Sequence, residues 1–107
     1  MKRLPFICSQ NRLRSPTAEH LFAARDGLET ASAGLNKGAD ELISTELIEW
    51  ADTIFMMEKT HRCKLSEKFK PHLKDKLLIC LDIPDNYTYM QPELINLFEL
   101  KVRKYCS

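Results

Sequence analysis

The sequence predicts an α/β domain built on one parallel sheet with helices over both faces. Three observations lead there. Short apolar runs at 4–8, 28–33, 53–57 and 77–81 alternate with segments whose apolar residues recur at helical spacing. The runs at 53–57 and 77–81 are nearly continuous, which suits strands buried on both faces. A chain of 107 residues, 44% hydrophobic and 29% charged, has material for one core and not for two, so 1–107 reads as a single domain.

Taken in order, 4–8 reads as a short strand in which Pro5, a residue that cannot donate to a ladder, marks the first residue. Ser15 suits an N-cap and Pro16 a first helical position, which predicts a helix over 16–25 with Ala18, Leu21 and Phe22 at helical spacing and Gly27 as its stop. A strand over 28–33 closes at Gly34. The turn-like stretch 36–40 ends in Asp40, a cap for a helix carrying Ile43, Leu47, Trp50 and Ala51 as its apolar stripe. The strand 53–57 follows, making the Met56–Met57 pair and Trp50 core residues. A third helix falls within 60–69 and ends by Pro71. After the strand 77–81 and a loop over 82–90, Pro92 starts a last helix with Leu94, Ile95, Phe98, Val102 and Tyr105 inward. Right-handed crossovers and short connections favour a strand order of 2-1-3-4, the beginning of a flavodoxin-like, three-layer sandwich.

Charge and composition exclude several classes of function. Sixteen Lys and Arg against fifteen Asp and Glu give a net charge of +1, with no basic field for nucleic acid. The basic runs 59–76 and 101–104 are interleaved with acidic or apolar residues and read as solvated helix faces. No apolar run approaches a membrane span, and the N-terminal apolar stretch is too short for a signal-peptide core; a cytoplasmic protein with reduced thiols is the expectation. Cys63, Cys80 and Cys106 lack a CxxC or Cys/His spacing, so no metal and no cofactor is expected, and Cys80 reads as a small core residue. His20, His61 and His72 have no ligand-spaced partner and read as surface or capping residues.

The chemistry concentrates in Cys8-Ser9-Gln10-Asn11-Arg12-Leu13-Arg14-Ser15-Pro16. A strand ends in a cysteine, and six residues later an arginine opens a helix. A helix N-terminus offers backbone N–H groups and partial positive charge, and a loop curled around it adds donors for an oxyanion. In an open parallel sheet, the end of strand 1 is also the switch point at which ligands bind. Positive charge there would favour the Cys8 thiolate, with Ser15 steadying it through its hydroxyl. Arg14 would grip two phosphoryl oxygens at once, and the N–H groups of Ser9, Gln10, Asn11, Arg12, Leu13 and Arg14 would hold the others. The loop after strand 4 leaves the sheet on the same edge, about 10 Å away, and brings Asp85 as general acid, with Asp82 as its competitor. Tyr87 and Tyr89 would flank an aromatic substrate or form the packed rim of the loop.

These residues resemble the phosphate-binding loop of the low-molecular-weight protein tyrosine phosphatases, which combine C-x5-R-S with an asparagine three places after the cysteine. Ser32-Ala33-Gly34, Met57 with His61, Leu65 and Phe69, and Ile83-Pro84-Asp85-Asn86-Tyr87 resemble that family's second strand end, third strand and helix, and acid loop. The resemblance implies a phosphotyrosine phosphatase I-like fold and hydrolysis of a phosphorylated protein or aryl phosphate through a phosphocysteine. It also implies that phosphate or sulfate would occupy the loop and that Asn11 holds its shape. The sequence departs from the family in three places: Leu13 stands where a second cysteine is usual, Asn86 where proline follows the acid, and the segment from Gly34 to Asp40 is short where relatives carry a longer loop lining the cleft. Two other functions use the same loop: a phosphate- or phosphoprotein-binding module without turnover, and a thiol-dependent arsenate reductase drawing on Cys80 or Cys63.

Overall fold

The computed structural model describes residues 2–9, 13–39, 41–74, 76–84 and 86–106, the last stretch without the side chains of Arg103, Lys104 and Cys106. The elements run in the order β1 (Lys2–Cys8), α1 (Arg14–Ala23), β2 (Leu28–Gly34), α2 (Thr45–Trp50), β3 (Thr53–Met56), α3 (Lys59–Phe69), a 3-10 turn (Lys70–His72), β4 (Leu77–Cys80) and α4 (Pro92–Cys106). The sheet has four strands in the order β2-β1-β3-β4, all pairs parallel, as the sequence predicts.

Period-2 alternation divides the core into two layers. Leu4, Phe6 and Cys8 of β1, with Phe55 and Met57, face α1 and α4, where Phe22, Leu94, Phe98 and Val102 meet them. Ile7, Ile54 and Met56 face the other side, against Ile48 of α2 and Leu65 of α3. Phe6 organises the first layer. Its ring stacks on Phe22 and Phe55 with centroids at 5.7 and 5.2 Å, and Phe98 meets it edge-on at 6.3 Å. Burying one such ring is worth about 1.5–3 kcal/mol, so this cluster fixes the angle at which α1 leaves β1.

Several boundaries differ from the sequence reading, each for a local reason. Pro5 sits inside β1, opposite Ala31, not at its start. Arg3 and Ile7 turn their carbonyls toward β3, accepting from Asp52 N at 2.9 Å and Met57 N at 3.2 Å. The β1–β3 register begins only at Phe6 opposite Phe55, so the N–H that Pro5 lacks falls where that ladder has not yet started. The N-cap of α1 is Leu13, not Ser15, and the helix closes at Ala23, with Gly27 making the later turn at φ +84°.

The second helix is shorter than its apolar stripe suggests. Ser44 caps it by accepting from Leu47 N at 3.2 Å, while Ile43 lies before it and donates its N–H to the Gly34 carbonyl at 3.0 Å. Asp40, the expected cap, lies outside the described residues. Met56 and Met57 are fully buried, but Trp50 is only half-buried and lines a surface groove. Cys80 is likewise half-buried, on the outer strand of the sheet. In α4, Leu94, Phe98 and Val102 are buried, and Tyr105 packs its ring against Phe55 at 5.7 Å.

Candidate active site

The site lies at the carboxyl edge of β1, where Cys8 ends the strand and Arg14 begins α1. Cys8 points into the α1–α4 layer and is 3% exposed. Its Sγ lies 2.9 Å from the Ser15 hydroxyl, which sits on the first turn of α1 beside the helix's positive end. This contact explains why Ser15 does not cap the helix: its hydroxyl is turned to sulfur. Thr17 closes the turn, with its N–H and hydroxyl both donating to the Leu13 carbonyl at 3.1 and 2.6 Å.

Arg14 is 2% exposed, and two elements hold its guanidinium. Nη1 donates to the Ile83 carbonyl at 2.8 Å, at the start of the loop after β4, and pairs with Glu58 Oε2 at 3.2 Å. Glu58 follows β3 and caps α3, so one carboxylate ties the end of the third strand to the arginine that opens the first helix. A buried guanidinium is costly unless paired and hydrogen-bonded, and here both conditions are met.

The sequence reading missed His61. Its spacing suggests a surface or capping residue; it does cap α3, but the side chain is 1% exposed. Its Nδ1 accepts the Glu58 N–H at 3.2 Å, which leaves the proton on Nε2 in the neutral ring. Nε2 lies 2.9 Å from Ser9 Oγ and 3.4 Å from Glu58 Oε2. Ser9, the first residue after the cysteine, is thereby tied to α3. The available signal was Met57 with His61 four places on, which the family resemblance contained but periodicity could not interpret.

The loop of the second carboxylate is bracketed by two left-handed residues, Asp82 at φ +54° and Met90 at φ +58°. The Asp82 carboxylate accepts from the Cys80 thiol at 3.4 Å, on the outer edge of the sheet. Asp82 also lines a shallow groove of about 380 Å³ with Glu58, Lys59 and Pro84. At its far end the loop is pinned to α1, since Met90 N donates to Thr17 Oγ1 at 3.0 Å and the Tyr89 ring meets His20 edge-on at 6.5 Å. Tyr87 packs against the α1–α4 core, whereas Tyr89 is exposed. Gln10, Asn11, Arg12 and Asp85 lie outside the described residues.

Cys80 shares a row of the sheet with Met56 and Ile7, two strand spacings or about 10 Å from β1. A disulfide needs Cα atoms within about 7 Å, so Cys80 cannot reach Cys8 without backbone movement. Burial, the largest influence on it, pushes the Cys80 thiol above its ordinary range, and Asp82 adds to this through its side chain. Cys63 is exposed on α3. Among the described residues no cluster of His, Cys, Asp and Glu could hold a metal ion, and no helix is long and apolar enough to cross a membrane.

The sequence matches no protein-family model and no curated protein. Solved structures do match it along nearly its whole length. The YwlE arginine phosphatase from Geobacillus stearothermophilus superposes with a TM-score of 0.77 at 22% identity, covering 98% of this chain and 93% of its own. The tyrosine phosphatase Wzb from Escherichia coli K30, in complex with phosphate, gives 0.74 at 18%, over 98% and 96%. The low molecular weight protein tyrosine phosphatase from T. tengcongensis gives 0.76 at 20%, over 97% and 99%.

Proposed function

We propose, starting from a chain that has the fold of the low-molecular-weight protein tyrosine phosphatases, that it is a cysteine-dependent phosphomonoester hydrolase. The observation that carries the reading is the Cys8 thiol, buried at the start of α1, 2.9 Å from the Ser15 hydroxyl and one loop away from a paired arginine. A structural cysteine needs neither a hydroxyl partner nor a helix N-terminus.

In the first step the Cys8 thiolate attacks phosphorus, an S–P bond forms, and the bond to the leaving oxygen breaks. Asp85 gives its proton to that oxygen. In the second step water attacks the phosphocysteine, Asp85 takes its proton, the S–P bond breaks, and phosphate leaves with the thiolate restored. Arg14 supplies a two-pronged grip on the equatorial oxygens where charge collects in the transition state, and Ser15 donates to the thiolate when it is the leaving group. Ser9 and Arg14 are held by His61 and Glu58, so the two ends of the loop are fixed before substrate arrives. Asp85 is taken as the acid over Asp82, a choice supported by the Asp82 carboxylate's engagement with the Cys80 thiol on the outer edge. Binding of phosphate by Wzb supports an anion in this loop. The relatives include an arginine phosphatase beside tyrosine phosphatases, so the phosphorylated residue is the open variable.

The test is hydrolysis of an aryl phosphate by the wild type and by Cys8→Ser, Asp85→Asn and Asp82→Asn. Cys8→Ser should abolish turnover, and Asp85→Asn should lower it by about 10²- to 10⁴-fold, most for poor leaving groups. Phosphate binding by the wild type without turnover would make the chain a binding module, and Cys80-dependent arsenate reduction would make it a reductase.

A further inference from the structure

A surface groove of about 630 Å³ plays no part in the chemistry above. It runs along the outer edge of β2, between α1 and α2. Gly34 uses that outer edge, donating to the Glu41 carbonyl at 2.7 Å and accepting from Ile43 N at 3.0 Å, in a single parallel bridge to Leu42. By the alternation of a parallel strand, Ser32 and Thr30 turn their backbone groups the same way. Among the described residues no backbone group continues the ladder below Gly34. The groove floor is therefore a strand edge ready to accept one more extended segment.

Its walls state what that segment should carry. Leu42, half-exposed, with Leu47 and Trp50 makes an apolar side. Glu19, Glu41 and Glu46 supply the charge, and among the described residues no Lys or Arg lines the groove, in a chain whose overall charges nearly cancel. Glu19 is held in place by the Ser32 hydroxyl, which donates to Oε1 at 2.5 Å. The groove also adjoins the reaction edge. Ser32 is two residues before Gly34, which is paired with Cys8, so its Cα lies about 8 Å from that of Cys8 by strand geometry. A bound segment would reach the loop in a few extended residues.

We infer that this groove docks a basic, extended segment of a phosphoprotein substrate, adding it as a strand beside β2 while the phosphorylated residue enters the loop at Cys8. This rests on the phosphatase reading, and it names a substrate class: phosphoproteins whose phosphorylated residue has Lys or Arg a few residues away. The connection between β2 and α2 covers this edge at Gly34 through the bridge to Leu42.

The experiment compares three phosphotyrosyl peptides, identical except for Lys-rich, neutral or Glu-rich flanks, on the wild type and on Glu41→Lys/Glu46→Lys. Both positions are exposed. The Lys-rich peptide should show roughly tenfold higher kcat/KM than the Glu-rich one, mostly through KM, and the preference should fall with salt and vanish in the double variant. Hydrolysis of a small aryl phosphate should be unchanged in that variant. In parallel, binding of the unphosphorylated Lys-rich peptide is read from Trp50, the sole tryptophan. A Trp50 response without turnover of any phosphate would uphold the groove and remove the phosphatase reading. Equal kinetics on all three peptides with no Trp50 response would overturn the inference. So would concentration-dependent self-association abolished by Leu42→Lys, since a second copy would then be the occupant.

Discussion

Glu58 and His61 hold the site in ways that the cysteine and arginine alone do not reveal. Removing the Glu58 carboxylate leaves the buried Arg14 guanidinium with a weaker partner, at a cost of about 1–3 kcal/mol. Glu58→Gln should therefore lower thermal stability and reduce aryl phosphatase kcat/KM by about 10- to 100-fold, because the arginine fork is no longer aimed. His61→Ala should act through Ser9 at the other end of the loop, weakening phosphate binding as measured by titration calorimetry while leaving the helical content intact. The remaining thiols separate by environment. Cys80, raised by burial, stays protonated at neutral pH and should alkylate more slowly than exposed Cys63, which peptide mass spectrometry can follow. Cys8 and Arg14 were readable from spacing, since strand-cysteine-loop-arginine-helix is a local pattern. Glu58 was not, because its role exists only where the end of β3 meets the start of α1, a meeting that the sheet order creates.

At the scale of elements, the sequence signal failed where two local preferences competed. Ile43 stands at helical spacing from Leu47 and Trp50, yet it pairs with Gly34 on the sheet edge because burial there also satisfies its backbone, and the helix starts only after Ser44. Ser44→Ala should cost about 1 kcal/mol in chemical denaturation through loss of the Leu47 N–H partner. Just before α4, Gln91 Nε2 donates to the Glu93 carboxylate in its first turn at 2.9 Å and holds it below its ordinary range. A lowered carboxyl stabilises the fold above its unfolded pKa, near 4.5, and loses that contribution as pH falls through the folded value. Gln91→Ala should move the Glu93 titration, followed by NMR, back toward that value. Gly27, at φ +84° with open space around its Cβ position, is a purely conformational requirement, and Gly27→Ala should destabilise by about 1 kcal/mol without any packing clash.

For the whole molecule, the alternation of apolar runs with helical segments was enough to give the sheet order, because crossover handedness leaves few alternatives for four parallel strands. The same order puts β1 beside β3 and so brings Cys8, Arg14, Glu58 and the loop after β4 to one edge. What stayed illegible were long-range pairings: Trp50 read as core when it lines a groove, and His61 as a surface or capping residue when, although it does cap α3, it is buried. The proposed chemistry puts phosphorus on sulfur at this edge. The most direct measurement is rapid acid quench of Asp85→Asn during aryl phosphate turnover, followed by mass spectrometry of the Cys8 peptide. One phosphoryl group is expected on that peptide, at a level that falls as the quench is delayed after substrate is spent, and none in Cys8→Ser/Asp85→Asn on any cysteine. Turnover with no phosphoryl group on the Cys8 peptide, or with one carried on Cys63 or Cys80, would contradict it.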